Sequence, residues 1–528
     1  MSEPPPPQGN LARAEEQIKG GGLAAVQKYF MAPDPGLVRL RTSLRAVLGV
    51  GLAVALSELL GLSLVASITA GLAALLALFT VGDPTVRRQV VTTALLPTVG
   101  FPVLALAALL HGAPLLRDAA WLLVIFAGVY ARRWGPRGHA LGIFAFMQFF
   151  VTQFLHAVPA QLPELYAATG IALGAAGTVR FVLWPLERRV PPPAAPAPLP
   201  GTGLARATTR QAVQVTVASG AALVIGQFLS EQRWYWAVGT VWWIFVNTAS
   251  RGETLVRGFR RVLGTVTGIA AGFLIAVPLG GAPVATAVLV AVCVFGIFYA
   301  APVSYSWMIL AVTVMASLLY GLLGVLDGAL LLLRVTETGV GAVCAALAVT
   351  LVLPVRTHTT NDAWIQRALL CVRSATSASV RRLAGEEAAD PTPHAAELEA
   401  LLGRVRLSLA PLVHPLTPFT GRKQRARRVL GLLDEAAAEV RGLVAVAADP
   451  DASHDARLAA ACWRVEAAVE ALTSGEGGAM ELEGHFRAET DVPHVGAPAL
   501  AHARGLARVL TELDAPLRTP PGAWAVRS

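Results

Sequence analysis

One long hydrophobic run, present twice, constrains this chain more than anything else in it. Residues 37–190 and 205–357 each read as about six membrane-spanning helices of roughly 20 residues, and the stretch PPPAAPAPLP at 191–200 separates them. Between Val262 and Leu326 there is no Asp, Glu, Lys or Arg. A water-soluble core cannot hide a segment of that length, whereas three spans fill it. The composition agrees, with 55% hydrophobic and 15% charged residues, against about 25% charged in an ordinary soluble domain, and a mean hydropathy of +0.57. The fold class expected is therefore all-α: a polytopic membrane protein with an internal repeat, whose first partner is the lipid bilayer. Nucleic acid is not expected among its partners.

Spans are expected near 44–60, 62–81, 90–110, 117–131, 140–157 and 166–185, and again near 211–229, 234–249, 262–279, 283–300, 307–325 and 330–353. In the first half RLRTSLR, DPTVRR, ARRWGPR and LERR fall on one face, while the opposite connections hold few basic residues, His111 and Arg117 among them. By the positive-inside rule that face is the cytoplasm. The second half follows the scheme with RATTR, RGETLVRGFRR and VRTH, whereas its loop APVSYS is uncharged and its placing rests on parity. Six is even, so the halves share one orientation and are expected to be parallel repeats about an axis along the membrane normal. Any pathway is then expected along that axis, between them.

The expected organisation is an N-terminal cytoplasmic segment (1–36), a first six-helix transmembrane repeat (37–190), a Pro/Ala-rich linker (191–204), a second repeat (205–357), a cytoplasmic helical domain (358–475) and a loosely ordered tail (476–528). The first segment begins with PPPP and carries Arg13, Glu15, Glu16 and Lys19, without the apolar h-region of a cleaved signal peptide, which leaves both ends of the protein expected inside the cell. In the helical domain, segments such as LLDEAAAEVRGLVAVAA and the breaks DPTPH and DPDASHD predict three or four amphipathic helices. The tail is expected to hold one short helix around 497–513. The four Cys, at 293, 344, 371 and 462, lack CxxC or Cys/His spacing and suggest neither a disulfide frame nor a metal site.

The segment from Trp234 to Gly272 is the richest in candidate sites. Trp234 and Trp236 fit an interfacial aromatic belt, and Trp242 and Trp243 lie deeper, where they anchor the helix or line an aromatic path. Gly264, Gly268 and Gly272 recur every four residues and share a helix face, the small-xxx-small pattern of close packing, with Thr265 placed to add a hydrogen bond. Arg257, Arg260 and Arg261 precede that helix on the cytoplasmic side, where topology explains them and where they can also concentrate anions at a mouth. In RVTETGVGAV, Arg334, Glu337, Thr338 and Gly341 lie on one stripe. A charge inside a bilayer costs at least ~2.5 kcal/mol and is turned toward a partner or water. Either Arg334 and Glu337 pair with each other, or Arg334 holds a substrate carboxylate and Glu337 carries a proton. In the first half the polar positions within apolar runs are Glu58, Gln148, Gln153 and Arg180, the last expected to snorkel to the interface.

No GxxxxGK[ST] loop, no HExxH and no recognisable Ser/His/Asp set is present, so an enzyme, ATP-driven pumping and a cofactor are not expected. At RGETLVRGFRRVLGTVTGIAAG (Gly252, Glu253, Thr254, Arg257, Arg261, Gly264, Thr265, Gly268), at RVTETGVGA and at MAPDPGLVRLRTSLRA, the sequence resembles the fusaric acid resistance protein-like family, which includes bacterial aromatic acid exporters and is related to plant aluminium-activated malate transporters. The first half, with DPTVRRQVVTTALLPTVGFP, lacks the GTxxG element. The resemblance implies a twelve-helix inner-membrane exporter of small organic or aromatic acids, driven by the proton gradient. It also implies a homodimer and a periplasmic adaptor as candidate partners, since related channels are dimers and some relatives work with an adaptor. The expected function is export of a small organic anion, set against a passive anion channel or a membrane scaffold acting through its C-terminal helices.

Overall fold

The computed structural model describes residues 37–183, 203–246, 248, 250–353, 357–386, 388–413, 420–448, 456–474 and 498–518. The expected N-terminal segment, most of the linker and the tail either side of 498–518 lie outside the described residues. Among the described residues all regular structure is helical. Twelve α-helices of the described residues lie between residues 38 and 351: α1 Val38–Leu59, α2 Leu64–Thr80, α3 Val86–Leu109, α4 Pro114–Tyr130, α5 Pro136–Phe154, α6 Leu162–Val182, α7 Ala207–Leu229, α8 Tyr235–Phe245, α9 Arg251–Leu279, α10 Pro283–Ala300, α11 Tyr305–Leu322 and α12 Gly328–Leu351.

Local chemistry sets many of these boundaries. The side chains of Ser63, Thr85, Ser250 and Asp327 accept backbone N–H bonds at the starts of α2, α3, α9 and α12, satisfying donors that a helix start leaves open. Pro opens α4, α5 and α10, where its missing N–H is not needed. Gly280, at φ 55°, closes α9, a left-handed conformation that glycine adopts without a Cβ penalty.

Nine helices among the described residues are long and apolar enough to cross a membrane. Of the other three, α5 has the length, at 19 residues, but not the apolarity, α2 is shorter at 17 residues and α8 has 11, a rise of only about 16 Å against a hydrocarbon core of about 30 Å. The expected eighth span ran to 249, whereas the helix stops at Phe245 and the chain continues through Val246, Thr248 and Ser250 as buried, non-helical backbone. Non-helical backbone at such a place must be covered by protein.

The two sets of six pack alike. In each, the first helix touches the second and sixth, the second touches the sixth, and the fifth touches the third and fourth. Across the sets the contacts are reciprocal, α4 on α7 and α10 on α1. α2 and α5 are buried along most of their length, while Leu59, Leu115, Phe228, Leu274 and Val284 expose apolar side chains on outer helices. A helix apolar all round belongs in the interior, and an apolar outer surface belongs in lipid.

Five further helices follow among the described residues: α13 Thr357–Leu383, α14 Thr392–Val413, α15 Thr420–Ala447, α16 Ala456–Ser474 and α17 Pro498–Arg518. They enclose their own core, with Leu369, Leu402, Val405, Leu433 and Val469 buried. The short helix expected in the tail is longer than its predicted bounds, and it packs on α15 and α16 through Leu506, Leu510 and Leu513. One element of this group, α14, also lies against α9, where the hydroxyls of Ser408 and Ser250 are 3.1 Å apart.

Candidate functional site

α12 places Arg334, Glu337, Thr338 and Gly341 on the face turned to α8. A Cβ added at Gly341 would stand 2.6 Å from the Ala237 carbonyl oxygen, so the missing side chain is what lets the two helices meet. Arg334 is 5% and Glu337 0% exposed. The Arg334 guanidinium carbon lies 3.3 Å from the centre of the Trp236 ring, a cation–π contact that a desolvated site strengthens. Trp236 is fixed in turn, donating its indole N–H to the Tyr320 hydroxyl at 2.7 Å and meeting Phe150 edge-on at 4.9 Å. Arg334 Nε and Nη1 and both carboxylate oxygens of Glu337 have no hydrogen-bond partner, so no hydrogen-bonded ion pair joins Arg334 to Glu337. Thr338 spends its hydroxyl on the Arg334 carbonyl at 2.8 Å.

α9 approaches α11 along the glycine stripe. A Cβ would lie 2.7 Å from the Ser306 carbonyl at Gly264, 2.7 Å from Thr313 Cβ at Gly268 and 2.6 Å from Ser317 Oγ at Gly272. Thr265 is buried beside them. That close approach brings Arg261 against Tyr305. The guanidinium donates to the Tyr305 hydroxyl at 3.4 Å, which donates to the Trp243 carbonyl at 3.1 Å, and Arg257 covers the Tyr305 ring at 4.3 Å. Of the three arginines expected at a mouth, Arg257 and Arg260 are half-buried, whereas Arg261 is 6% exposed and its Nε–H has no partner.

Arg261 is turned into a cavity of ≈ 120 Å³ between the two sets of helices, with walls that include Phe79, Phe150, Trp236, Trp243 and Met308. These residues come from α2, α5, α8 and α11 as well as α9, so helices of both sets wall the cavity. Trp243 lines it. Trp242 does not; it stacks flat on Phe146 at 4.2 Å in the packing between α8 and α5.

Sequence reasoning missed a polar brace at the end of α8. Arg132, in the turn after α4, donates to the carbonyls of Phe245 at 3.4 Å and Thr248 at 3.3 Å and to Gln211 Oε1 at 3.2 Å. Gln211 itself donates to the Thr248 carbonyl at 2.7 Å. The available signal was a pair of Gln, 211 and 214, early in an apolar helix; Gln214 likewise donates to the carbonyls of Val352 and Leu353 at 2.8 and 3.1 Å. Arg180 differs from its expectation as well. It does not snorkel but is 4% exposed, and it donates to the carbonyls of Ala77, Leu78 and Val81 at 3.1, 3.1 and 2.8 Å, because the end of α2 leaves those acceptors open inside the protein. Gln148 and Gln153 are buried on α5, and Glu58 is exposed.

Comparison with known proteins places part of this architecture. Residues 221–348 match the family model described as fusaric acid resistance protein-like. No curated protein and no solved structure matches the chain. The matched segment contains both the glycine stripe with Arg261 at its head and the Arg334–Gly341 stripe, so it is over these two stripes that the chain is similar to the fusaric acid resistance protein-like family.

Proposed function

We propose that the protein is a proton-coupled exporter of small organic acids, aromatic ones foremost, across the cytoplasmic membrane. The observation that carries this reading is the state of Glu337 and Arg334: two buried ionisable side chains inside a membrane helix, the carboxylate oxygens of the one and Nε and Nη1 of the other without hydrogen-bond partners, beside an aromatic-walled cavity. Isolated buried charges are costly and are kept where ions or substrates travel. Glu337 is the proton carrier in this scheme, and the guanidiniums offset the charge of the acid. The reciprocal contacts of α4 with α7 and of α10 with α1 support two like-oriented repeats with the path between them, and the basic segments favour the end bearing Arg132 and Arg251 as cytoplasmic.

Reconstitution tests the scheme. Vesicles holding the protein should accumulate labelled benzoate against its own concentration gradient when a pH gradient is imposed to drive it, and Glu337→Gln should lose at least ~90% of the gradient-driven component, about 1.4 kcal/mol or more in rate, while still exchanging benzoate for benzoate. Flux that follows the anion gradient and ignores pH, in wild type and variant alike, would convert the exporter into a channel. The docking of α14 on α9 favours a second role for the C-terminal helices, as a platform for a cytoplasmic partner; full transport by a chain ending after α12 would separate the two.

A further inference from the structure

We propose that Arg261, and not Arg334, is the anchor for the carboxylate of the transported acid, and that the cavity it lines admits a body of one aromatic ring. The proposal rests on the transport reading above and deepens it.

The two buried guanidiniums stand in different surroundings. Arg334 is covered by the indole of Trp236 and is not among the residues that line the cavity. Arg261 does line it, and of the cavity's described lining residues it is the one with a charge. Its hold on the protein is light: one long bond from Nη1 to the Tyr305 hydroxyl at 3.4 Å, with the Nε–H unpartnered. A planar guanidinium presents its N–H groups as a fork that matches the two oxygens of a carboxylate. A carboxylate arriving through the cavity supplies the counter-charge that the buried arginine lacks, and that exchange offsets the desolvation of both ions.

Tyr305 sets the direction. Its hydroxyl is tied to the Trp243 carbonyl at 3.1 Å, its ring is under Arg257, and α9 and α11 meet closely at Gly264, Gly268 and Gly272, with no space for a side chain between them. The remaining wall is apolar: Phe79, Phe150, Trp243 and Met308 among others. Its volume of ≈ 120 Å³ is close to that of an engineered apolar cavity of about 150 Å³ that binds benzene. One ring fills it; two fused rings do not.

The test uses the full-length protein, purified and reconstituted, with benzoate, its neutral counterpart benzamide and 2-naphthoate as probes, read by calorimetric titration and by counterflow of labelled benzoate. Wild type is expected to bind benzoate at least tenfold more tightly than either benzamide or 2-naphthoate. Arg261→Gln should abolish the preference for benzoate over benzamide without weakening benzamide, Arg261→Lys should retain part of it, and Arg260→Gln, one residue away and outside the cavity, should retain all of it. Three results overturn the assignment: equal wild-type affinity for benzoate and benzamide, an undiminished preference in Arg261→Gln, or equal loss of both ligands in that variant, which marks a packing role. Should Arg261→Gln fail to accumulate, the benzoate-to-benzamide ratio of Arg261→Lys decides, an unchanged ratio overturning the anchor. The two readings fail separately. Wild type that moves none of the acids sinks the transport reading and the anchor with it, whereas benzoate counterflow equal in wild type and Arg261→Gln sinks the anchor alone.

Discussion

The second helix of each half ends inside the protein, and the two ends are closed by arginines of different origin. α2 runs 17 residues, and Arg180, from the sixth helix of its own half, covers three of its last carbonyls. α8 stops after 11 residues, and the arginine that covers its end, Arg132, comes from the other half, with Gln211 completing the brace. Both ends face the same requirement, that a buried carbonyl needs a donor. The first half meets it from within. The second half depends on the first, so the short helix that carries Trp236 and Trp243 to the cavity is also a joint between the halves.

Arg180→Ala should have the largest effect, because it removes three hydrogen bonds to the end of α2 at once. It should cost ~3–5 kcal/mol, the range for removing one side of a buried charged interaction, seen as a lower midpoint of thermal unfolding in detergent. An unchanged midpoint would mean that the end of α2 finds other donors. Arg132→Ala should cost ~2–4 kcal/mol, because Gln211 remains on the Thr248 carbonyl. Combining it with Gln211→Ala should give a loss that differs from the sum by ~0.5–3 kcal/mol, the signature of groups that share an acceptor; strict additivity would dissolve the joint into unrelated contacts.

Smaller effects test how closely the second half is built. Gly268→Ala sets a Cβ 2.7 Å from that of Thr313 and 3.0 Å from the Leu310 carbonyl, and should cost ~1–3 kcal/mol by overpacking. Gly339→Ala, where nothing lies within 4 Å, should be neutral or stabilising by up to ~1 kcal/mol. A comparably small change belongs to an exposed helix start, where water competes for the same groups. Asp390 accepts from the Thr392 N–H at 3.0 Å, and these hydrogen bonds hold its carboxyl below the usual carboxylate range. Asp390→Ala should cost ~0.5–1 kcal/mol. Since the folded value is the lower one, the contribution is full above the unfolded value near ~3.9 and disappears as pH falls through the folded value. A wild-type advantage that persisted in strong acid would contradict the assignment.

Much of the helix order was legible because hydropathy and caps are local. The tenth span, expected at 283–300, is Pro283–Ala300, and the seventh ends at Leu229 as expected. The eighth and ninth differ for one reason. The apolar run continues past Phe245, so nothing local ends α8, and the charges of RGETLVRGFRR read as a loop although Ser250 caps a helix that contains them all. Starting α9 at Arg251 instead of 262 carries Arg261 away from a mouth and into a wall. Its place was still hinted at in the chain, since 261, 264 or 265, 268 and 272 share one helical face.

From the sequence alone came the all-helical class, the apolar helices of a membrane protein, the glycine stripe at 264, 268 and 272 and the stripe from Arg334 to Gly341, all of which follow from period and composition along one strand of chain. Which arginine meets the cavity, which lies under an indole and which closes a helix end was decided only when residues far apart in the chain came together, as Arg334 does with Trp236, Arg180 with Ala77 and Arg132 with Thr248. A guanidinium in a greasy run must find acceptors or an anion, and the run itself does not say where they are.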